Sequence, residues 1–576
     1  MKLILKILLY LEKRRFLTEM KNLCEAFLED LNEKTLRKFP PLRFLLEVDV
    51  IDLLDVFPDV GDFLIKEPLK WQRCCNEILF ACLKSLDNDT IQNIQATQVG
   101  VNIRFKTMPY ILTTKHRKYE NIVSLRGLLV NITKPTSYVY HTVWSCPDEC
   151  EGNEVIMHFI PKVPPKCYLC RNTLFENSGL RRCGDQVYAT FKLNNELLSK
   201  NFTIVDDLIP NLKIGKKYTI NAVILKKLIA VWSIEESHIL PAPITMPVPR
   251  DIKELYESCK GIPWKFIYCL ASSIGLHVCP LNTFMNIKIS LLLSLVSVKA
   301  NALTSSPIIH FLSGGFDTGY IGKIMEQAAL LADSYTYLGT AHNSTSTTLI
   351  GASGGVCVMP LPLQAYSQNQ IHSVLSAIET GEISDGVNKT ALSCAVWAQG
   401  MDFKKIVLYN VGSIFGFVCR GDFGEYTDEL VDYALEQAIV PPQRDKQERQ
   451  ALKDISIYID LVAGLKVSLA KSAENLLRRY FLTTRKERPK VVTIGNLGAL
   501  IAICATSAKL CRREIANNDD AVFAIWLHVS GMPEPRLAPD EYLQTPADIK
   551  KLKKVIDNFY SWLEQFTGYS ISDRNE

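Results

Sequence analysis

The chain runs to 576 residues, 47% hydrophobic and 22% charged, enough for roughly three or four globular domains and too apolar for a disordered polypeptide. A formal charge of +4 and a pI near 8.2 exclude capture of nucleic acid by a global field, so any such affinity has to come from local basic patches. Seventeen cysteines behind no signal peptide predict a reducing compartment, where thiols stay free or hold metal.

Met1 to Tyr10 is apolar, but Lys2 and Lys6 interrupt it and Glu12-Lys13-Arg14-Arg15 closes it, too soon to span a bilayer. It predicts an amphipathic helix, and no membrane partner. The pattern stays mostly helical over 1–103, except that Leu46 to Leu54 predicts a strand, Phe57-Pro58-Asp59 a turn, and Val60 to Lys66 a helix. Over 104–240 the period changes to two. Ile122 to Val130, Tyr138 to Trp144 and Tyr218 to Leu225 predict strands of an all-β module.

Pro241-Ala242-Pro243 and Pro247-Val248-Pro249 mark a linker over 241–262. Beyond it the apolar run Ile287 to Val298 is again too short for a membrane and predicts a buried helix. Strand-like runs at Pro307 to Leu312, from Val356, at Ala391 to Ala398 and at Ile414 to Val418 alternate with helical segments, which predicts an α/β domain with a parallel sheet over 263–442. Pro441-Pro442 closes it. Apolar repeats at Leu465 to Tyr480 and Leu497 to Leu510 predict a helical segment over 446–530, followed by a helical tail over 531–576. The fold class is multidomain, α/β plus all-β.

Inside the β module, at about 145–172, Cys146-x3-Cys150 and Cys167-x2-Cys170 have the spacing of two thiolate knuckles closing on one tetrahedral zinc. Four protein ligands leave no position for a reactive water, so the role is structural. Cys183 is near enough in sequence to replace one ligand. The alternative is four free thiols.

The order of modules resembles the minichromosome maintenance (MCM) helicase family of the AAA+ superfamily. Local wording carries the likeness: Leu53-Leu54-Asp55-Val56-Phe57-Pro58-Asp59-Val60-Gly61-Asp62-Phe63-Leu64 is similar to the family's N-terminal helical segment, and Ile122 to Val130 to the first strand of its oligonucleotide-binding (OB-fold) barrel. Gly355-Val356-Cys357-Val358-Met359 is similar to its strand before the acid pair, and Leu477-Arg478-Arg479-Tyr480-Phe481 to the helix after its arginine-finger strand. The resemblance implies an N-terminal helical subdomain, an OB-fold with a zinc-ribbon insertion, a degenerate AAA+ domain and a C-terminal helical lid.

The family's ATPase residues are absent where the resemblance carries them. Its phosphate loop falls on Gly314-Gly315-Phe316-Asp317-Thr318-Gly319-Tyr320-Ile321, with Tyr320 for the lysine that reaches phosphate and Ile321 for the hydroxyl on magnesium. A frame on Gly322-Lys323 puts Asp317, an anion, where the cradle's first glycine belongs and Ile324 at the hydroxyl. The acid pair falls on Pro360 and Leu361, which can neither hold a magnesium shell nor polarise water. The polar sensor falls on Gln399, the arginine finger on Val411 and the second sensor arginine near Gly495. Between Tyr320 and Val356 there is little room for the family's helix-2 hairpin, and Asn194 to Asn201 is brief for its long barrel hairpin.

One branch of the family joins this architecture to an eroded ATPase, and the chain looks like that branch. The resemblance implies a non-catalytic nuclear factor on meiotic chromosomes, supporting recombination, homologue alignment and crossover formation, in a hetero-oligomer with an ATP-competent MCM paralogue. It implies zinc but not ATP as cofactor. The DNA partner would be single strands or recombination intermediates, held on the barrel by Arg181, Arg182, Lys192, Lys216, Lys217, Lys226 and Lys227 with Phe191 and Tyr188 nearby in sequence; the alternative is a solvated strand rim. Arg485-Lys486-Glu487-Arg488 and Arg512-Arg513 read as solvated faces. A competing function is an ATP-binding helicase subunit in replication or repair, with an unorthodox site built on Lys323 and acids such as Asp333 or Glu379.

Overall fold

The computed structural model describes residues 2–33, 39–86, 94–109, 122–150, 153–193, 199–224, 229–238, 240–242, 246–259, 263–315, 319–341, 344–384, 389–401, 407–422, 424–439, 444–489, 491–532, 536–543 and 549–571. The chain divides into two compact units, Met1–Ser237 and His238–Glu576.

The first unit opens with the helices Lys2–Lys13 and Phe16–Glu33, whose apolar stripes bury Ile7, Tyr10, Met20 and Leu28. Strand β1, Leu42–Val48, points Leu42, Phe44, Leu46 and Val48 inward and pairs in parallel with β2, Val99–Phe105. The strand predicted to reach Leu54 stops at Val48. The Asp49 side chain accepts from the Asp52 N–H and caps a helix at Val50–Val56, so the apolar residues after Asp49 follow a helical period. Pro58 and Pro68 then sit in the first turns of Pro58–Lys66 and Pro68–Lys84. Because β2 pairs with β1, the N-terminal module reaches past residue 103.

The β module contains β3 (Ile122–Ile132), β4 (Thr136–Ser145), β5 (Glu154–Met157), β6 (Phe175–Glu176), β7 (Arg182–Leu193), β8 (Ser199–Val205), β9 (Lys217–Ile224) and β10 (Ile229–Glu236). The pairings β3-β9-β10-β8-β7 close when β7 returns to β3, giving a five-stranded barrel. Leu129, Val187, Ala189, Phe191, Phe202, Ile204 and Ile220 fill it. The long β7 serves two structures: Ala189 to Leu193 pair with β3, whereas Arg182 to Gln186 pair with β4, which carries β5 and β6 outside the barrel.

In the second unit β11 (Phe311–Gly314), β12 (Tyr335–Tyr337), β13 (Val356–Pro362), β16 (Ala395–Met401) and β17 (Val418–Arg420) form an all-parallel sheet in the order β12-β13-β16-β11-β17, and β14 (Glu382–Ser384) pairs with β15 (Lys389–Ala391) in a separate antiparallel hairpin. Met285–Thr304 is long and apolar enough to cross a membrane by length and composition, yet it is a core helix. Its Ser294 and Ser297 hydroxyls donate to the carbonyls of Ile309 and Ser294, Ser297 Oγ accepts from the Ile309 N–H, and Ser294 Oγ accepts from Trp397 Nε1 at 2.8 Å, so the helix's polar groups dock it to the sheet.

Three expectations change here. The run from Ile414 is not one strand: the helix Val407–Phe415 ends at Gly416, with φ of 73°, before β17 begins at Val418. The stretch taken as linker holds the helix Arg250–Ser258, whose Ile252 is buried in the main core. Among the described residues the C-terminal helices are Arg444–Ala463, Lys471–Glu487, Ile494–Leu510, Asn518–Ser530 and Ile549–Thr567, and Ser468–Leu469, predicted helical, is a short strand beside Ile515–Ala516. Pro441-Pro442 lies outside the described residues.

Candidate functional site

The cysteine cluster is built at the outer end of β4. The first knuckle leaves directly after Ser145, and the second turns between Lys166 and Thr173, which pair as an antiparallel bridge. Each knuckle passes through a left-handed residue, Glu149 with φ of 50° and Arg171 with φ of 60°. The four sulfurs of Cys146, Cys150, Cys167 and Cys170 lie within 4.8 Å of one another, with Cys146 at 3.7 Å from Cys150 and 3.4 Å from Cys170. Thiolates bound at ~2.3 Å to one tetrahedral zinc stand ~3.8 Å apart. The donor set therefore fits a single metal ion.

Two donors favour the thiolate form. The Cys170 N–H donates to Cys167 Sγ at 3.2 Å, and Asn153 Nδ2 donates to the same sulfur. Burial pushes the Cys167 thiol up, but the hydrogen bonds from Cys170 outweigh it and bring the thiol down to about 6. Hydrogen bonding to Cys167 raises Cys170 in turn, and hydrogen bonding to Cys146 raises Cys150. Trp144 and Leu174 close the apolar side. Cys183 is exposed on β7 opposite Val139 and does not belong to the cluster.

The second site lies at the end of the parallel sheet, where β11 stops at Gly314 and the helix Tyr320–Ala329 begins after Gly319, with φ of 74°. Asp317 is outside the described residues. Ile321 and Ile324 are buried in the core and Lys323 is exposed. β13 continues through Pro360, leaving Leu361 44% exposed. Gln399 is buried, and its Nε2 donates to the Pro360 carbonyl. Gly322 presses on the same two groups: a Cβ there would lie 2.4 Å from the Pro360 oxygen and 2.7 Å from Gln399 Nε2. A Cβ on Gly315 would lie 2.5 Å from the carbonyl of Asp422, whose Oδ1 accepts from the Gly424 N–H at 2.8 Å.

Val411 is buried, and a Cβ on Gly495 would lie 2.9 Å from the Ser413 carbonyl. Asp333 pairs with Lys299, which also meets Asp460 at 2.9 Å, and Glu379 is exposed on the helix Gln368–Thr380. Backbone and one amide thus occupy the space between the loop helix and β13. A cavity of about 360 Å³ opens beside β17, where Phe284 and Tyr426 lie among Arg420, already paired with Glu425, and Arg536, paired with Asp540 at 2.6 Å.

The barrel's basic candidates are only partly gathered. Lys192 and Lys217 flank Leu128 on either side in the ladders, which puts them on one face of three adjacent strands. Arg181 is held by Glu176 in a two-pronged pair at 2.7 and 2.6 Å, Arg182 bonds the Arg181 carbonyl at 3.3 Å, and Lys216 lies 3.4 Å from Glu236. Lys226 and Lys227 are outside the described residues, as is most of Asn194 to Asn201. Phe191 is no stacking platform: it is buried edge-on to Phe202 and Tyr218 in the barrel core, while Tyr188 is exposed.

Residues 3–108 match the family model described as "MCMDC2, N-terminal domain". Along most of its length the chain is similar to minichromosome maintenance domain-containing protein 2 of Rattus norvegicus, 19% identical over 91% of this chain and 90% of the relative. The protein of that name from Mus musculus is 19% identical over 90% and 89%, and that from Homo sapiens 21% identical over 84% and 85%. From the match over residues 3–108 and the similarity along most of its length, minichromosome maintenance domain-containing protein 2 is what this chain resembles.

Proposed function

We propose that this chain is a non-catalytic MCM-like subunit: a DNA-associated assembly factor in meiotic recombination, acting in the nucleus on meiotic chromosomes with an ATP-competent MCM paralogue. In this proposal the barrel is an OB-fold, the cysteine module a zinc ribbon, and the parallel sheet with its C-terminal helices a degenerate AAA+ domain whose surfaces still pack against neighbouring subunits. Bound zinc would fix the geometry of the two knuckles and supply no reaction.

One observation carries the non-catalytic part. Pro360, where the acid pair is carried by resemblance, gives its carbonyl to Gln399, while Gly322 presses on both. A metal–triphosphate needs carboxylate and ammonium there. The purified full-length chain is expected to show no magnesium-dependent ATP affinity by calorimetry and no phosphate release. Turnover that persists through purification and is abolished by Lys323→Ala would overturn it. The competing ATP-binding helicase subunit draws support from the cavity beside β17, but both of its arginines already face carboxylates. Affinity purification from germline extract tests the assembly part, and recovery of no MCM-type protein would sink it.

A further inference from the structure

The outer segment of the cysteine module, residues 158–175, contains Lys162, Lys166 and Arg171 and no aspartate or glutamate. At the chain-wide frequency of 61 acids in 576 residues a stretch of this length would carry about two. The same segment exposes large apolar side chains that a soluble domain ordinarily buries: Tyr168 is 86% exposed, Phe159 59% and Phe175 53%, with Val163 and Leu169 also in solvent.

The pairing shows how aromatic and basic groups alternate. The Leu174 N–H donates to the Pro165 carbonyl and the Cys167 N–H to the Asn172 carbonyl, so 165–167 and 172–174 form a short hairpin tipped by the second knuckle. Lys166 and Thr173 are partners in it and share a face. Leu174 points inward to the cysteines, so Phe175, two residues past Thr173, returns to the Lys166 face. Tyr168 stands at the tip with Arg171 close after it. Pro161, Pro164 and Pro165 fix the backbone of the approach, so little order is left to be gained on binding. Among the described residues the module's acids are Asp148 and Glu149 on the other knuckle, where Asp148 accepts from Asn172, Glu154 on β5, and Glu176, which follows Phe175 and is held by Arg181.

We propose that the Lys166–Phe175 face and the Tyr168–Arg171 tip form a stacking platform for single-stranded nucleic acid, with unpaired bases on the rings and phosphates on the cations. Rings standing in water beside cations that pair with no carboxylate among the described residues fit a chain of bases and phosphates. A duplex, whose bases are already stacked, offers the rings nothing. The proposal rests on the DNA-associated reading above but uses a surface other than the barrel's.

The test is fluorescence anisotropy of the full-length, zinc-loaded chain with a labelled 20-nucleotide oligo-dT across a salt series. The Tyr168→Ala/Phe175→Ala double variant is expected to weaken binding at least ~10-fold with an unchanged salt slope, since stacking is uncharged. Lys166→Glu/Arg171→Glu is expected to lower the slope of log K against log salt by roughly 1.4, about 0.7 for each lost phosphate contact. Both variants change exposed groups, and an unaltered zinc content checks that the module is folded. Wild-type affinity in both sinks the proposal. If Lys192→Glu/Lys217→Glu alone abolishes binding, the platform falls and the barrel stands; if the wild-type chain binds no DNA at low salt, both fall. A double variant that only turns a dimer into a monomer by sedimentation overturns the proposal in favour of self-association.

Discussion

The cysteine module and the end of the parallel sheet are both places where a small ligand belongs by resemblance, and they have opposite fates. In the module all four donors converge within 4.8 Å, with N–H groups aimed at Cys167. At the sheet the strands, the loop glycines and the following helix are in place, but Gln399 and the Pro360 carbonyl satisfy each other and Gly322 closes the gap. A site whose own apolar cluster is as small as Trp144 and Leu174 about the thiols gains much of its stability from a bound ion. A parallel sheet already buried between helices stands without one.

The largest effect that would sharpen this contrast is removal of metal. Cys167→Ser, or chelation, is expected to eliminate one bound zinc per chain and lower the melting temperature of the first unit by about 10 °C or more, because a structural zinc is folding free energy. Mass spectrometry and circular dichroism read both. A chain that melts identically with and without zinc breaks the comparison.

Next comes acid. His528 is buried in the second unit with Nδ1 2.8 Å from the Tyr480 hydroxyl, and burial depresses its pKa from 6.5 to about 4. The neutral ring's contribution is fully present above pH 6.5 and is lost as the pH falls toward and through 4, because only the unfolded chain takes up the proton over that span. Burial depresses His310 in the same unit to about 4 as well, so urea midpoints should fall between those limits by about 3 kcal/mol for each of the two histidines, and His528→Gln should remove about half of that slope. An equally steep profile in the variant would assign the loss to other groups.

Gly322→Ala is expected to cost about 1–3 kcal/mol, since its methyl group meets the Pro360 oxygen and helix and strand must part. A neutral result by chemical denaturation would mean the gap is looser than the backbone spacing implies. The smallest effect is that of Lys323→Ala, which should shift stability by no more than about 0.5 kcal/mol because the side chain is exposed.

Much of the scaffold can be read from the residues alone. Period-two runs identify β3, β4 and β9, and the 3-and-2 cysteine spacings identify the four thiols that converge, because one knuckle needs only local geometry. The failures are physical too. Leu46 to Leu54 is apolar on both sides of Asp49, and only the cap decides where strand becomes helix. Phe191 is in phase with the buried Val187 and Ala189, and that period, not its closeness to Lys192 in sequence, decides its direction. Gly322 gives no clue in sequence to what it approaches. The acid-free stretch around Tyr168 is a matter of composition, but exposure alone separates a surface from a small core.

The double duty of β7 has a mechanical consequence. At ~3.3 Å per residue its twelve residues make a rod of roughly 40 Å, one half wall of the barrel and the other half root of the cysteine module. Torque applied at the knuckles meets one irregularity in the β4–β7 ladder, between Val139 and His141, before it reaches the barrel. Whatever loads the tip is felt as shear along the seam with β3.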